Sequence, residues 1–325
     1  MKEISTQNIK PILIKDINIE DDSFRMTFSP DLDRLKSSME EVGLLNPVIL
    51  RGKDRFQIVT GYRRILVAQI LKWEKIKARI FIPDKLSFEE GFKLNFYENL
   101  GTRDFNLIES AMAVSGFINR CKKEKELVQK KILPLLGFQS GSKILQQLLS
   151  LIRLVDEWKM LVVKKEISLP NAAKVSSFTP KDQRILFKAV SDLKLGENKL
   201  RQCLEMIDEI CRRDEISFEQ LFTSSPFTQL AQDEKLNITE KTELFRKALK
   251  ARRYPEFTRQ EEKFQKTRKK LTLPPSVRLE PPEFFEGDKL KVTFKFRSPE
   301  ELRSILEKLE IAAYSEALKS LLEML

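Results

Sequence analysis

Short apolar runs alternate with helical patterns through the first hundred residues. Runs such as 47–50 and 56–59 have the length and apolar content of buried strands. Ahead of them, apolar residues recur at steps of three or four after Ser29, which we expect to cap a helix whose first residue is a proline. Ser87 opens a further helix with the pattern of a capping box. This alternation predicts an α/β domain over residues 1–104.

Beyond this domain the apolar period becomes helical, and we expect Asn106 with Glu109 to cap the first of these helices. The period holds across residues 105–222, which predicts an all-α middle domain. A polar, proline-containing stretch at 223–236 has the composition of a linker, and it begins a linker and basic helical connector over 223–271. The last segment, 272–325, combines a strand with alternating apolar positions at 290–296 and amphipathic helices. We therefore predict a multidomain, mostly α protein whose C-terminal module is small and α+β.

The composition excludes several kinds of active site. The 325 residues contain no histidine, so neither a Ser-His-Asp triad nor a histidine-ligated metal site can form. The cysteines Cys121, Cys203 and Cys211 lack the spacing of a zinc or redox motif, and we expect reduced core thiols. We find neither a signal peptide nor a run of about 20 apolar residues. We therefore expect a cytoplasmic protein without membrane contact.

Charge is concentrated in one segment. The formal net charge of the chain is +11, and residues 241–270 hold twelve Lys/Arg against four Asp/Glu, which is +8. Such a segment is either a solvated helical face or a contact to nucleic-acid phosphates that is independent of base sequence. Under the second interpretation the contact residues are Arg252, Arg253, Lys269 and Lys270.

Two small motifs in the α/β domain could bind an anion and a metal. Gly61 lies at a strand-to-helix junction and is followed by Arg63 and Arg64, and the free N–H groups of a helix start together with arginines favour an anion. Glu98 and Asn99 place a carboxylate beside an amide oxygen, a pair that can hold magnesium already carrying phosphates. Each motif alone is equally consistent with an ordinary junction or helix end.

A helix pair around Gly137 has the pattern of a helix-turn-helix. Its first helix is expected to bury Leu127, Val128, Ile132, Leu135 and Leu136. Short polar and amide side chains at the start of the second helix suit base edges in a major groove. These candidates are Ser140, Ser142, Lys143, Gln146 and Gln147. Taken alone, the pattern also fits a helical hairpin with no role in DNA binding.

The order of these motifs resembles the ParB family of chromosome and plasmid partition proteins. The resemblance is carried by residues 43–51 (GLLNPVILR), 61–64 (GYRR) and 98–111 (ENLGTRDFNLIESA). It continues through the helix-turn-helix to about residue 180. It implies a ParB/sulfiredoxin-like N-terminal domain followed by a helix-turn-helix domain, and a nucleoid-associated protein that binds a centromere-like site in double-stranded DNA.

The resemblance also implies a nucleotide site. Many family members bind and hydrolyse CTP with Mg²⁺ and then slide along DNA as a clamp. On that pattern Gly61, Arg63 and Arg64 would contact the triphosphate, while Glu98 and Asn99 would hold the metal. Arg25, Asn46 and Asn99 would also line the nucleotide. The chain has Tyr62 where the family usually has glutamate and Leu66 where it has arginine, so CTP hydrolysis stays open.

These observations lead to a main hypothesis and to alternatives. We expect a sequence-specific DNA-binding protein of the ParB type that acts in partition, is regulated by CTP and works with a partition ATPase. The alternatives are a DNA-binding adaptor without nucleotide switching, a ParB-like nuclease and a sulfiredoxin-like enzyme. The last would need a cysteine where Tyr62 stands.

We also expect a homodimer. Pairing across a two-fold axis would cover the apolar face of strand 290–296, together with Leu302, Ile305 and Leu309. The alternative is that this face packs on helices of its own chain.

Overall fold

The computed structural model describes residues 9–325, which form two compact units divided between Ser191 and Asp192. The prediction of a multidomain, mostly α protein with an N-terminal α/β domain is confirmed. The division falls inside the region 105–222 that the sequence presents as one helical domain. The bounds of the individual domains stay a prediction.

Within the described residues, the first unit contains a mixed five-stranded sheet in the order β1-β5-β3-β4-β2. The pairs β1/β5 and β3/β4 are antiparallel, whereas β3/β5 and β2/β4 are parallel. The strands are β1 (Ile9–Leu13), β2 (Ile17–Asn18), β3 (Val48–Arg51), β4 (Phe56–Thr60) and β5 (Lys75–Phe81).

Three helices accompany this sheet: α1 (Asp33–Val42), α2 (Tyr62–Ile70) and α3 (Phe88–Thr102). The alternating apolar residues of the strands face α1 and α2, and fully buried side chains such as Val48 and Ile65 form the core. The capping box of α3 at Ser87 is confirmed.

The predicted start of α1 is wrong. Ser29 has a positive φ of 47° and cannot serve as the N-cap. The helix begins at Asp33, three residues after the expected Pro30, and the Asp31 carboxylate accepts a hydrogen bond from the Asp33 N–H at 3.1 Å. The Asp31 carboxylate therefore satisfies one of the backbone N–H groups that have no acceptor within the first turn of the helix.

The rest of the first unit is helical. A capping box between Asn106 and Glu109 opens α4, as the sequence predicts. The helices are α4 (Leu107–Ser115), α5 (Lys125–Leu127), α6 (Leu133–Leu135), α7 (Ser142–Leu151), α8 (Asp156–Val163), α9 (Leu169–Val175) and α10 (Pro180–Val190), with π-helical turns at Gly116–Arg120 and Val128–Ile132.

The π-helical turn between α5 and α6 corrects the predicted buried face of the first helix of the pair. Val128 and Ile132 are buried as expected, but Leu127 and Leu135 are exposed, and Leu133 is fully buried in their place. A π turn bonds residues five apart instead of four, so it rotates the following side chains around the axis.

The second unit is a helical array that ends in a small α+β module. The segment 223–236, expected as a linker, contains a short helix because Phe227 is buried against Phe222 and Phe245. The elements are α11 (Glu197–Arg213), α12 (Phe218–Thr223), α13 (Phe227–Gln232), α14 (Ile238–Arg253), α15 (Pro255–Lys269), β6 (Val277–Glu280), β7 (Lys291–Phe294), α16 (Pro299–Ala313) and α17 (Glu316–Leu322).

Strand β7 pairs with β6 in an antiparallel hairpin whose apolar face is only partly covered. Leu279 and Ile305 are buried, whereas Val292 is 42% and Phe296 51% exposed. The prediction that this strand buries one face is therefore only partly met within one chain. None of the helices in the part of the chain that the structure describes is long and apolar enough to cross a membrane.

Candidate functional site

The junction between β4 and α2 requires the glycine that the sequence places there. Gly61 is the N-cap of α2 with φ +90°. A Cβ at this position would lie 2.6 Å from Cγ1 of Val48, so both the backbone and the space exclude a side chain. The first N–H groups of α2 have no acceptor inside the helix and form a positive end. The junction can therefore receive an anion.

A cavity of about 370 Å³ opens at this junction, and we call it the Gly61 pocket. Its volume is within the range of small-ligand sites. All the residues that the resemblance assigns to a nucleotide or its metal line this one cavity, although they come from separate segments. They are Gly61 with Arg25, Asn46, Arg63, Arg64, Glu98 and Asn99.

Arg64 joins three segments at the mouth of the pocket. Its guanidinium donates to the backbone carbonyls of Asn46 at 2.9 Å and Pro47 at 3.2 Å, and it forms an ion pair with Glu98. The Arg64 side chain is 16% exposed and that of Glu98 36% exposed. Glu98 therefore occupies a position next to Arg64 that the oxygen of another anion could take.

Glu109 pairs with two arginines that line the pocket, although it does not line the pocket itself. Its carboxylate, 1% exposed, lies 2.5 Å from Nη1 of Arg103 and 3.6 Å from Nη2 of Arg63. It also accepts hydrogen bonds from the backbone N–H groups of Phe28 at 3.2 Å and Asn106 at 3.1 Å. We call Arg63, Arg103 and Glu109 the Glu109 cluster.

Arg63 is held in an unusual environment. Burial lowers the pKa of its guanidinium, and the neighbouring charge of Arg103 lowers the pKa further, while Glu109 opposes both effects. Its Nε is buried without a hydrogen-bond partner. A buried donor without an acceptor is costly, and a phosphate oxygen would supply the acceptor.

The two proposed metal ligands are engaged by arginines. Glu98 pairs with Arg64, and Oδ1 of Asn99 accepts from Nε of Arg103 at 2.8 Å. The Asn99 amide N–H groups donate to Asn95, which orients that oxygen. Within residues 9–325, no group of three or more Cys, Asp or Glu side chains is placed to hold a metal. Magnesium would fit here only together with phosphate oxygens that draw the arginines away.

Tyr62 and Leu66 depart from the family pattern, and they occupy different positions. Arg25 donates to the Tyr62 hydroxyl at 3.3 Å and lies over its ring, 5.6 Å from the centroid. Leu66 lies outside the Gly61 pocket and lines a second cavity of about 480 Å³, which Arg25 and Tyr62 also line. Only the first departure therefore changes the surroundings of the Gly61 pocket directly.

The candidate DNA-reading residues lie around the start of α7. This helix buries Leu145, Leu148 and Leu151 and packs against α4 and α9. Its opposite side is polar, as the sequence predicts. Ser140, Ser142, Lys143 and Gln146 are exposed, and Gln147 is half-buried.

The basic segment of the second unit combines paired and exposed cations. Arg252 forms an ion pair with Asp214 at 3.3 Å, and Arg253 forms one with Glu209 at 2.5 Å. These two arginines therefore hold α14 against α11 and the residues that follow it. Lys269 and Lys270, by contrast, are exposed at the end of α15.

Sequence reasoning missed the roles of two residues at this site, one that lines the pocket and one that pairs with its arginines. Arg103 was recognised only as part of a motif, and Glu109 only as a helix cap. The capping box already explains why the sequence has a glutamate at position 109. No neighbouring residue in the sequence indicates that its carboxylate also faces Arg63, 46 residues earlier.

Comparison with known proteins supports the assignment of the N-terminal region. Residues 1–100 match the family model described as the ParB N-terminal domain. The nucleoid occlusion protein of Bacillus cereus is 25% identical over 212 residues, which cover 65% of this chain and 67% of the relative. The protein of the same name from Bacillus thuringiensis is 24% identical over the same shares of both chains.

Solved structures give weaker similarity. A C-terminally truncated ParB from Caulobacter crescentus complexed with CTP-γ-S is 22% identical and covers 53% of this chain and 94% of its own, with a TM-score of 0.27. The same protein complexed with the centromeric parS site is 19% identical and covers 65% and 95%, with a TM-score of 0.32. TM-scores this low carry no weight for the fold. The family-model match therefore identifies residues 1–100 of this chain as a ParB N-terminal domain, and the similarity to nucleoid occlusion proteins extends over 212 residues.

Proposed function

We propose that this chain is a DNA-binding protein of the ParB type that acts in DNA partition or nucleoid occlusion and is regulated by CTP at the Gly61 pocket. The observation that supports it most is the convergence of Gly61, Arg63, Arg64 and Arg103 on one cavity in a ParB N-terminal domain. The polar start of α7 supplies a surface for base edges.

The pocket suits a triphosphate because its arginines can exchange one kind of anion for another. Arg64 faces Glu98, and Arg63 and Arg103 face Glu109. Phosphate oxygens accept charge-assisted hydrogen bonds from arginine in the same geometry as carboxylates. A bound magnesium ion would neutralise phosphate charge, and Glu98 and Asn99 would hold it once the phosphates occupy the arginines.

Three parts of the proposal concern the oligomeric state, the location and the protein partner. A second copy of the chain would cover the exposed side chains of Val292 and Phe296, so deletion of 272–325 should convert a dimer into a monomer in sedimentation. The nucleoid is the expected location, because the relatives are nucleoid occlusion proteins. A partition ATPase is the expected protein partner.

Calorimetric titration of CTP, ATP and GTP, with and without duplex DNA and Mg²⁺, tests the nucleotide proposal. We expect CTP to bind in preference to the other two and Arg63→Ala to abolish binding. Arg55→Ala is the matched control, because Arg55 is exposed at the opposite end of β4 from Gly61. Equal binding of all three nucleotides, or unchanged binding in Arg63→Ala, would contradict the proposal.

A second candidate function is DNA binding without a nucleotide switch. The paired state of the arginines favours it, because each phosphate-directed arginine already has a carboxylate partner. Tyr62 adds to this by replacing a family carboxylate at the pocket, whereas Leu66 lies outside it. If duplex DNA binds while CTP produces no heat and no competition with Mg²⁺ and DNA present, this second function is the correct one.

A further inference from the structure

A second basic cleft lies in the unit formed by residues 192–325, between α11, α14 and α15. We call it the α14–α15 cleft, and its volume is about 1030 Å³. Three carboxylates, those of Glu243, Glu261 and Glu262, lie along its walls. The cations outnumber them by six to three. They are Arg246, Lys247, Lys250, Arg253, Lys266 and Lys269.

Unpaired donors are concentrated in this cleft. Among the described residues, six buried side-chain nitrogen or oxygen atoms lack a hydrogen-bond partner, and three of them belong to residues that line it. They are Nε of Arg246, Nε of Arg253 and the hydroxyl of Thr258. Buried polar atoms are normally satisfied, so three unpaired donors among the residues of one cleft are unusual.

The remaining atoms of both arginines fix their side chains. Arg246 uses its terminal nitrogens on Glu243 at 3.0 Å and Gln202 at 3.3 Å. Arg253 pairs with Glu209 and lies over the ring of Tyr254, 4.8 Å from its centroid. Both guanidinium groups are therefore held in place before any ligand binds, which reduces the entropy that binding would cost.

We propose that the α14–α15 cleft binds a small phosphate-rich anion, separately from the Gly61 pocket. Phosphate oxygens only accept hydrogen bonds, which matches three unpaired donors among six cations. The volume is that of a small-molecule site. This proposal differs from contact between exposed lysines and DNA, and it does not depend on the Gly61 pocket.

Calorimetry on the full-length chain carrying Arg63→Ala, with inorganic tripolyphosphate as the probe, tests the proposal. We expect one site per chain to remain. Thr258→Val removes one unpaired donor at nearly constant volume, and Arg246→Lys keeps the charge but removes Nε. Each should weaken the remaining site at least tenfold. Lys263→Gln is the matched control, because it removes an exposed charge of α15 that does not line the cleft. The affinity of this variant for tripolyphosphate should stay within twofold of that of the chain carrying Arg63→Ala alone.

Other outcomes would overturn the proposal. Loss of all binding in Arg63→Ala would show that the Gly61 pocket is the site of the probe. Equal weakening in Lys263→Gln would show diffuse attraction by the basic surface. Duplex DNA that displaces tripolyphosphate completely, with a loss of affinity in Thr258→Val, would identify nucleic acid as the occupant. Circular dichroism of each variant checks that the helices are intact.

Discussion

Glu109 holds four donors together, two of them on arginines that line the Gly61 pocket, so replacing it with glutamine should change stability and anion binding in opposite directions. Glutamine has nearly the size of glutamate but carries no charge, and one of its two polar atoms is a donor. That donor would face one of the groups that now donate to the carboxylate, which are Arg63, Arg103 and the N–H groups of Phe28 and Asn106.

The size of the effect follows from burial. Removing one partner of a buried ion pair costs about 3–5 kcal/mol. The Arg63 side chain is 30% exposed and that of Arg103 13% exposed, so water recovers part of this cost. We therefore expect a loss near the lower limit, about 3 kcal/mol. For a unit of this length, 1 kcal/mol corresponds to about 2–4 °C in Tm, so the unit should melt about 6–12 °C earlier.

Anion affinity should rise in the same variant. The Glu109 charge competes with an incoming phosphate for Arg63 and Arg103, and its removal should tighten CTP binding by about tenfold, which equals about 1.4 kcal/mol. Thermal unfolding followed by circular dichroism, with and without CTP and Mg²⁺, measures both effects. Glu41→Gln is the control, since Glu41 is exposed on α1.

Two results would refute this reasoning. A Tm within 2 °C of the Glu41→Gln control would mean that the carboxylate is not an essential counterion of the arginines. Weaker CTP binding in Glu109→Gln would mean that the carboxylate positions the arginines for the phosphates instead of competing with them.

Three further predictions concern other parts of the chain. Lys143→Ala with Gln147→Ala should reduce discrimination between specific and random duplex by about 1–3 kcal/mol per lost base contact, measured by competition binding. Lys269→Gln with Lys270→Gln should weaken binding to all duplexes alike and reduce the slope of log affinity against log salt by about 2. Burial raises the pKa of the Cys203 thiol to about 11 from 9.0, so the unfolded chain loses this proton first. The free energy of unfolding should therefore fall as the pH rises from 9 to 11, and it should fall less in Cys203→Ala. Urea unfolding at pH 8 and pH 10.5 measures both.

Local signals predicted the helices best. The capping boxes at Ser87 and Asn106 are confirmed because both partners of each lie within one turn and need no distant contact. The predicted start of α1 was wrong because it depends on contacts with residues far away in the sequence. Arg103 donates to the carbonyl of Met26 and the hydroxyl of Thr27, and these contacts across more than 70 residues hold the chain just before Ser29.

The sequence predicts those parts of the site that depend on residue type alone. A glycine before a helix, followed by arginines, indicates an anion site at the level of sequence, and the structure gives Gly61 the positive φ that only glycine adopts readily. The pairing of these arginines was not predictable. Whether Arg63 faces solvent or Glu109 depends on where the chain places the first turn of α4, which no local pattern encodes.

The Glu109 cluster also connects two parts of the first unit. Arg63 belongs to α2, whereas Glu109 belongs to the first turn of α4, and α4 packs against α7. One buried carboxylate therefore lies between the residues that face the pocket and the helix that supports the candidate DNA-reading side chains. A phosphate that draws Arg63 from Glu109 would leave a buried charge with fewer partners, and that cost would fall on the start of α4. Anything that binds the arginines therefore acts on the helix against which α7 is packed.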